Sequence, residues 1–599
     1  MSQDHSHDHH DHLDHHDHPH SHDAAQPLPE ALDLAIPESE LSPTQLGRRS
    51  FLRRAGLLGA AAAGAGVLAG TGTAAAGTNR GDNQGEQGDQ RPSQGDPRGL
   101  LWLTGDHHIH TQYSPDAQYL VSEQVARSAQ YGLDWMVITD HGGPAHQKFS
   151  VERTNPDIVV ARSANARTLV FQGLEWNIPS AEHGTVFVAP GKDEVGLLKE
   201  FEGTYDGTVT KTSATSAANE KLARDGVAFL GNAVRSGRVN DALMLANHPA
   251  RRGVDSPHEI RGWRDADPRI AVGMEGAPGH QAAAIPGPGH EKNGRGYYDN
   301  APTSDSFAGY PPESYVTYGG FDWMTSTVGG LWDALLAEGK PWWISANSDS
   351  HKVYLDTRRN VTDTGSGGNN ANAPYDAAGN TYNTTGRYPD PVDTGKPIAT
   401  YGDFWPGFYS NTVVGATDFS YGAVMAGIRA GRMYVTHGGL VGAVSVRLVG
   451  GDGAPATLGG TLMSNRGNDV ELQVDVALAD RPNFHGDVPQ LKKVDVIVGL
   501  ITGPATNADT FDAPTTRVVK TFEVPAKVSG GVYQIRYRIK GGKDPFYVRL
   551  RGSDGKRTAV GLRGANVDPS GPKVDAIGNA DPWQDLWFYT NPIFVLPKK

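Results

Sequence analysis

Cysteine is absent from the 599 residues. That excludes disulfides, thiolate metal ligands and a cysteine nucleophile, so any metal centre has to be built from imidazole and carboxylate. Positive charge is in deficit: 54 Lys and Arg against 67 Asp and Glu give a net charge of −13, which excludes general affinity for nucleic acid, since that needs a basic surface. Long apolar stretches are also lacking. The Ala/Gly-rich run from Leu57 to Ala69 is too short for a membrane-spanning helix, which needs about 20 apolar residues, and no stable membrane anchor is expected. What is present, 38% hydrophobic residues with 75 Gly and 39 Pro, suits a soluble, loop-rich protein of two or more domains.

The N-terminus is compositionally distinct. Residues 1–23 hold ten histidines interleaved with Asp and Ser; residues 1–45 cannot bury a core and are expected to be disordered, with low-affinity capture of divalent metal as the functional reading. Residues 46–76 contain Gly47-Arg48-Arg49-Ser50-Phe51-Leu52-Arg53, then the Leu57–Ala69 run, then Ala74-Ala75-Ala76. This is similar to a twin-arginine export signal with its cleavage site. It implies the twin-arginine translocase as a partner and a periplasmic, cell-surface or secreted destination. No cysteine follows the apolar run, so a lipoprotein anchor is excluded. Residues 77–98 read as a polar linker.

Residues 99–440 carry the chemistry. Leu101-Trp102-Leu103 leads into His108 and His110, whose two-residue spacing on a strand puts both side chains on one face, about 7 Å apart, able to grip one ion. Val121, Val125, Ala129 and Leu133 predict an amphipathic helix, and a second apolar strand ends on Asp140-His141. Later apolar runs also meet metal-type residues: Leu169–Leu174 ends on Glu175, His183 begins the run through Val188, Leu243–Asn247 ends on His248, Ile270–Met274 ends on Glu275, and Trp342–Ala346 leads to Asp349 and His351. About seven short buried strands with helical pieces between them, such as Ala217–Gly226 and Gly330–Gly339, predict an α/β barrel or open sheet with its ligands at the strands' C-terminal ends.

The His108–Thr111 HIHT and Thr139–His141 TDH motifs, with the amphipathic helix and Gly132–Asp134 between them, resemble the PHP (polymerase and histidinol phosphatase) family. The resemblance implies a distorted seven-stranded (β/α) barrel holding two to three divalent ions. His108 and His110 would share an ion with Asp349, Glu175 would bridge, His141 would bind a second ion, and His183, His248 and His351 would complete the third. Asp116 lies six residues after the second histidine where the family places an Asp at five, with Ala117 in place of its glycine, so it reads as either a ligand or a neighbour of one.

Imidazole and carboxylate donors suit Zn²⁺, Mn²⁺ or Fe²⁺ without choosing among them. Closely spaced ions would lower the pKa of a bridging water, supply hydroxide at neutral pH and stabilise charge on a phosphoryl or carbonyl oxygen. The reading is therefore an exported metal-dependent phosphoesterase acting on small organic phosphates. Asp116 and His437 are candidates for the leaving-group acid, and Arg251 and Arg432 for binding phosphate, which favours a guanidinium partner. Arg252 follows Arg251 at the same rim, and His107 points away from His108. Residues 352–398 form a Gly- and Asn-rich insertion suited to a lid, and Asp403–Tyr409 offers aromatics for a pocket mouth or for packing.

From residue 441 to 599 the pattern turns to period two, with Tyr533, Ile535, Tyr537 and Ile539 alternating with polar residues. Similar runs at regular spacing predict an all-β, sandwich-like domain. With the Gly431–Thr436 junction and a terminal NPIFV, the chain also resembles the carbaryl-hydrolase branch of PHP metallohydrolases, which implies a carboxyl-ester or carbamate substrate as an alternative. A catalytically inactive metal- or carbohydrate-binding surface protein is the third reading; the complete ligand set weighs against it.

Overall fold

The computed structural model describes residues 99–598, apart from 288, 299–301, 365–367 and 451–453. The His-rich tail, export signal and linker assigned to residues 1–98 lie outside the described residues. No helix among the described residues is long and apolar enough to cross a membrane.

The chain folds as β1 (Leu101–Ile109), α1 (Val121–Gln130), β2 (Trp135–Ile138), α2 (His146–Ala164), β3 (Leu169–Asn177), β4 (His183–Val188), α3 (Glu194–Tyr205), α4 (Ala217–Arg235), β5 (Ala242–Ala246), α5 (Pro257–Ala266), β6 (Ala271–Ala277), α6 (Leu331–Ala337), β7 (Trp343–Ala346), β8 (Ser410–Ala416), α7 (Tyr421–Arg429) and β9 (Met433–His437). The strands lie side by side in the order β9-β8-β1-β2-β3-β4-β5-β6-β7. β7, at one end of this row, meets β8, the second strand from the other end, where the Ala346 amide donates to Thr412 Oγ1 and that hydroxyl donates to the Ala346 carbonyl, at 2.8 and 2.7 Å.

The sheet is mixed rather than parallel throughout. β1, β2 and β3 run parallel, as do β5, β6 and β7, but β4 is antiparallel to both neighbours. The reason is chain length: residues 178–182 are all that join β3 to β4, enough for a hairpin but not for a crossover, which takes a dozen residues or more. Reversal puts the first residue of β4, His183, at the edge where the parallel strands end.

The helix expected after β1 is α1, with its buried face shifted from the apolar stripe. Val121, Gln124, Val125 and Ser128 are buried, Ala129 is half-buried, and Leu133 lies beyond the helix in the turn to β2. Gln124 is drawn inward because its amide donates to the carbonyls of His110 and Ser350, at 2.8 and 3.3 Å. A polar helix residue thus ties together the ends of the two strands that carry ligands.

Beyond residue 440 the same sheet continues. β9 pairs with Trp587–Thr590, which pairs with Phe546–Ser553, and that strand pairs with Lys493–Leu500 and Ile593–Pro597. A second sheet holds Val441–Val449, Val470–Leu478 and Val532–Ile539. Val446, Leu472 and Val474 of this sheet share a core with Val496, Leu550 and Phe588 of the first. The strand-rich C-terminal part is therefore two facing layers, one of them an extension of the α/β sheet.

Buried ions lock this junction. The Arg549 guanidinium donates to both carboxylate oxygens of Asp333 on α6, at 2.8 and 2.7 Å, and lies 4.5 Å from the Trp332 ring. Arg295 sits between Asp575 and Asp585, at 3.6 and 3.4 Å. Burial, and then the charge of Asp575, push the Asp585 carboxyl up to about 7. A carboxyl raised on folding stabilises the protein below its unfolded value near 4, and that contribution is lost as pH rises through 7. Asp585→Asn is expected to remove this slope. Urea unfolding at pH 4 and pH 7.5 should show the variant gaining on wild type by on the order of 3 kcal/mol at the higher pH.

Candidate metal centre

β1 delivers the first two ligands. A register shift between Asp106 and Ile109, with the His108 amide donating to Asp106 Oδ1 at 3.0 Å, turns the strand end. The Nε2 atoms of His108 and His110 come within 2.9 Å of each other. His107 faces the opposite way, its Nε2 2.7 Å from Ser345 Oγ.

Glu175, at the end of β3, is the hub. Its Oε1 lies 3.1 Å from His108 Nε2, 3.0 Å from His183 Nδ1 and 3.3 Å from His248 Nε2. Its Oε2 lies 2.8 Å from His141 Nδ1 and 3.4 Å from His110 Nε2. Asp349 Oδ1 lies 3.1 Å from both His108 Nε2 and His110 Nε2, and 3.4 Å from His351 Nδ1. Asp116 bridges His141 and His351, with Oδ2 3.2 Å and Oδ1 3.3 Å from their Nε2 atoms. His108, His110 and Glu175 form a buried floor. Asp116, 44% exposed, and His183, 22% exposed, stand at the open side.

These residues fit divalent ions. Glu175 Oε2, Asp349 Oδ1 and Asp116 Oδ1 are buried and make no hydrogen bond, although imidazole nitrogens crowd around each. Lone-pair atoms about 3.0–3.4 Å apart mark the edges of a coordination polyhedron with bonds of about 2.1 Å. The donors fall into overlapping sets: His110, Asp116, His141 and His351; His108, His110 and Glu175; His141, Glu175 and His183; Glu182, His183 and His248; and His280, His351 and Asp403. His351 therefore groups with Asp116 and His141, not with His183 and His248 as the resemblance implied, because Asp349-Ser350-His351 runs alongside β1, with Ser350 opposite Ile109. Glu182 joins the set without having been singled out in the sequence, being the last residue of the short β3–β4 hairpin.

Neighbouring groups orient the ligands. Glu275 lies 2.7 Å from His108 Nδ1 and accepts from the His248 amide at 2.7 Å, so its role is to hold two ligands, as carboxylates behind metal-binding histidines do. Ser114 Oγ lies 2.8 Å from His110 Nδ1 and donates to Asp140. Asp349 and His248 have φ of 47° and 30°, a left-handed backbone that costs about 1–3 kcal/mol outside glycine. Against burial, which alone would raise it, the charges of His141 and His351 hold the Asp116 carboxyl well below the usual carboxylate range. Asp116 thus sits between His141 and His351 at the open side of the cluster, the position of a ligand.

The insertion after His351 holds Asp116 in place. The hydroxyls of Tyr382 and Tyr388 donate to the carbonyls of Tyr113 and Pro115, at 2.6 and 2.8 Å, and Asn369 Nδ2 donates to that of Ala117 at 3.0 Å. The aromatics of Asp403–Tyr409 pack inward: Phe404, Trp405 and Tyr409 are buried.

The rim residues divide. Arg251 Nη2 and Arg252 Nη1 lie 3.5 and 3.2 Å from the two oxygens of Glu182, beside His248. Against burial, the charges of Glu182 and then Asp349 raise the Arg251 guanidinium, which puts this arginine in the field of the cluster. Arg432 lies elsewhere: its Nε donates to the Gly415 carbonyl at 2.9 Å, and Gly415 pairs with Trp102 at the far end of β1 from His110. His437 is completely buried, with Phe321 and Tyr409 against its ring at 4.7 and 4.9 Å, and neither ring nitrogen has a hydrogen bond. Sealed between aromatic faces, it is not placed to hand a proton to a leaving group.

A PHP domain profile matches residues 106–204, which cover His108 through Glu175 and His183. No curated protein matches the chain. A solved structure described as a two-domain protein containing a predicted PHP-like metal-dependent phosphoesterase, from Bacteroides vulgatus, aligns over 84% of this chain and 99% of that chain, at 15% identity and a TM-score of 0.30.

Proposed function

We propose that the chain is a metal-dependent phosphoesterase hydrolysing small organic phosphate esters on two to three divalent ions. The observation that carries this reading is the convergence of five histidines on the two oxygens of Glu175, within the stretch that matches a PHP domain. Bound divalent ions would supply Lewis acidity and an activated water. Arg251 would orient the phosphoryl group from the rim, while the buried floor of His108, His110 and Glu175 keeps bulk water from that side. A distorted seven-stranded barrel and export through the twin-arginine translocase, to a periplasmic, cell-surface or secreted location, complete the proposal. The first rests on the ordered row of β1 to β7, and the second on Arg48-Arg49 ahead of Leu57–Ala69.

One observation favours the second reading, a carboxyl-ester or carbamate hydrolase of the carbaryl-hydrolase kind on the same ions. Glu182 lies against both Arg251 and Arg252 and offsets the positive charge that a phosphate dianion would use.

Initial rates on p-nitrophenyl phosphate, bis-p-nitrophenyl phosphate and p-nitrophenyl acetate, with bound metal quantified, separate the two. Phosphoester turnover is expected, abolished in His108→Ala, with KM for the phosphomonoester raised roughly tenfold or more in Arg251→Ala. Acetate turnover alone, lost in His108→Ala, would establish the second reading. Full metal content without turnover of any of the three would overturn both for these ester classes.

A further inference from the structure

Asp349 has two oxygens, and the histidine ligands surround only one of them. The other, Oδ2, lies 2.7 Å from Nε2 of His280, a residue outside the ligand set expected from the sequence, although with His351 and Asp403 it makes a donor cluster of its own. His280 Nδ1 lies 2.5 Å from Asp403 Oδ1, and Asp403 Oδ2 accepts from the backbone amides of His351 and Lys352, both at 2.6 Å. Asp403 thus grips the backbone of one ligand and, through His280, the carboxylate of another.

The loop carrying His280 is built to reach this position. The His280 amide donates to the Ser348 carbonyl at 3.2 Å, and its φ of 51° is left-handed. A β-carbon at Gly279 would run into the Cβ of Asp349 and the carbonyl of Ser348, so only glycine lets the loop lie this close to the ligand strand. A left-handed backbone and a close approach that excludes a side chain thus meet beside one carboxylate.

We propose that His280, oriented by Asp403, is a positioning residue that engages Asp349 Oδ2 and so makes Asp349 a one-oxygen ligand. The inference rests on the metal reading of the site but not on which ester is cleaved. Freed of His280, Oδ2 would be able to swing towards the ion and chelate it, changing the coordination number. A carboxylate oxygen held by an imidazole is the partner arrangement that tunes ligand geometry, and its loss costs about 10–100-fold in metal affinity.

The test uses full-length protein stripped of metal and titrated with Co²⁺, read by ligand-field absorption and by ions bound per chain. His280→Ala and His280→Asn are expected to bind the wild-type number of ions at saturation, roughly 10–100-fold more weakly, with a shifted absorption band. His280→Gln, whose amide NH₂ reaches Oδ2, should recover the wild-type band; the pair of amide variants carries the comparison if the alanine variant does not fold. A wild-type band and affinity in His280→Asn and His280→Ala would overturn the proposal while leaving the metal reading intact. Loss of one whole ion with the other bands unchanged would also overturn it, because His280 would then be a ligand. Wild-type protein that binds no Co²⁺ would overturn the metal reading itself, and the positioning role with it.

Discussion

Glu175→Ala is expected to empty the metal centre and abolish ester hydrolysis. Glu175 is 1% exposed and the imidazoles of His108, His110, His141, His183 and His248 converge on it. Burial would push its carboxyl up, but the charges of His141, His108 and His183 hold it well below the usual carboxylate range, so the group is ionised and central. Losing a partner behind a ligand costs about 10–100-fold in affinity. Losing the carboxylate that faces all five imidazoles should therefore cost roughly 100-fold or more. Glu175→Gln keeps the volume and removes the charge, and is expected to behave like the alanine variant. Metal content after dialysis, with chelator competition for affinity, checks both. Wild-type metal content in either variant would show that the imidazoles hold ions without the bridge.

The second large effect concerns stability. Asp333 and Arg549 are fully buried, and Asp333 also accepts from the Tyr547 hydroxyl at 3.0 Å. Arg549→Leu leaves a carboxylate in the core with its principal counter-charge gone, which costs about 3–5 kcal/mol. Urea unfolding should show that loss as one cooperative transition at lower urea. The double variant Asp333→Leu/Arg549→Leu should recover part of it, because removing both charges lifts the desolvation penalty along with the attraction. Equal losses in the single and double variants would mean that the destabilisation comes from lost packing on Trp332 rather than from the unpaired charge.

The parts of the centre that could be read from the sequence are those in which a short apolar run abuts a ligand. His108, His110, His141, Glu175 and His248 each sit where a buried strand meets the open edge, so periodicity locates them. The direction of β4 leaves a trace in the sequence: His183 begins its run where the other ligands end theirs, and a five-residue link to β3 permits only a hairpin. Glu182, His280 and Asp403 carried no such mark. They lie in loops without periodicity, and the His280–Asp403 contact joins residues 123 positions apart. A Gly-Arg ahead of an apolar strand looks alike at either end of a sheet, so Arg432 reads as a rim residue; its bond to Gly415, whose partner is Trp102, puts it at the far end. In the C-terminal part the alternation of Val470–Leu478 shows its inward face, but nothing local reveals that Trp587–Thr590 lies beside β9, about 150 residues earlier.

That pairing has a consequence for how the chain is made. Until Thr590 has been synthesised, β9 presents an open edge, and the Ile344 backbone of β7 lacks the Asn591 side chain that accepts from its amide and donates to its carbonyl. Exposed edges of this kind template association with other chains. A nascent chain bearing every histidine of the centre would remain a sticky, unsealed shell until Trp587–Thr590 had left the ribosome. Premature termination anywhere after β9 should therefore yield aggregate rather than a smaller working enzyme.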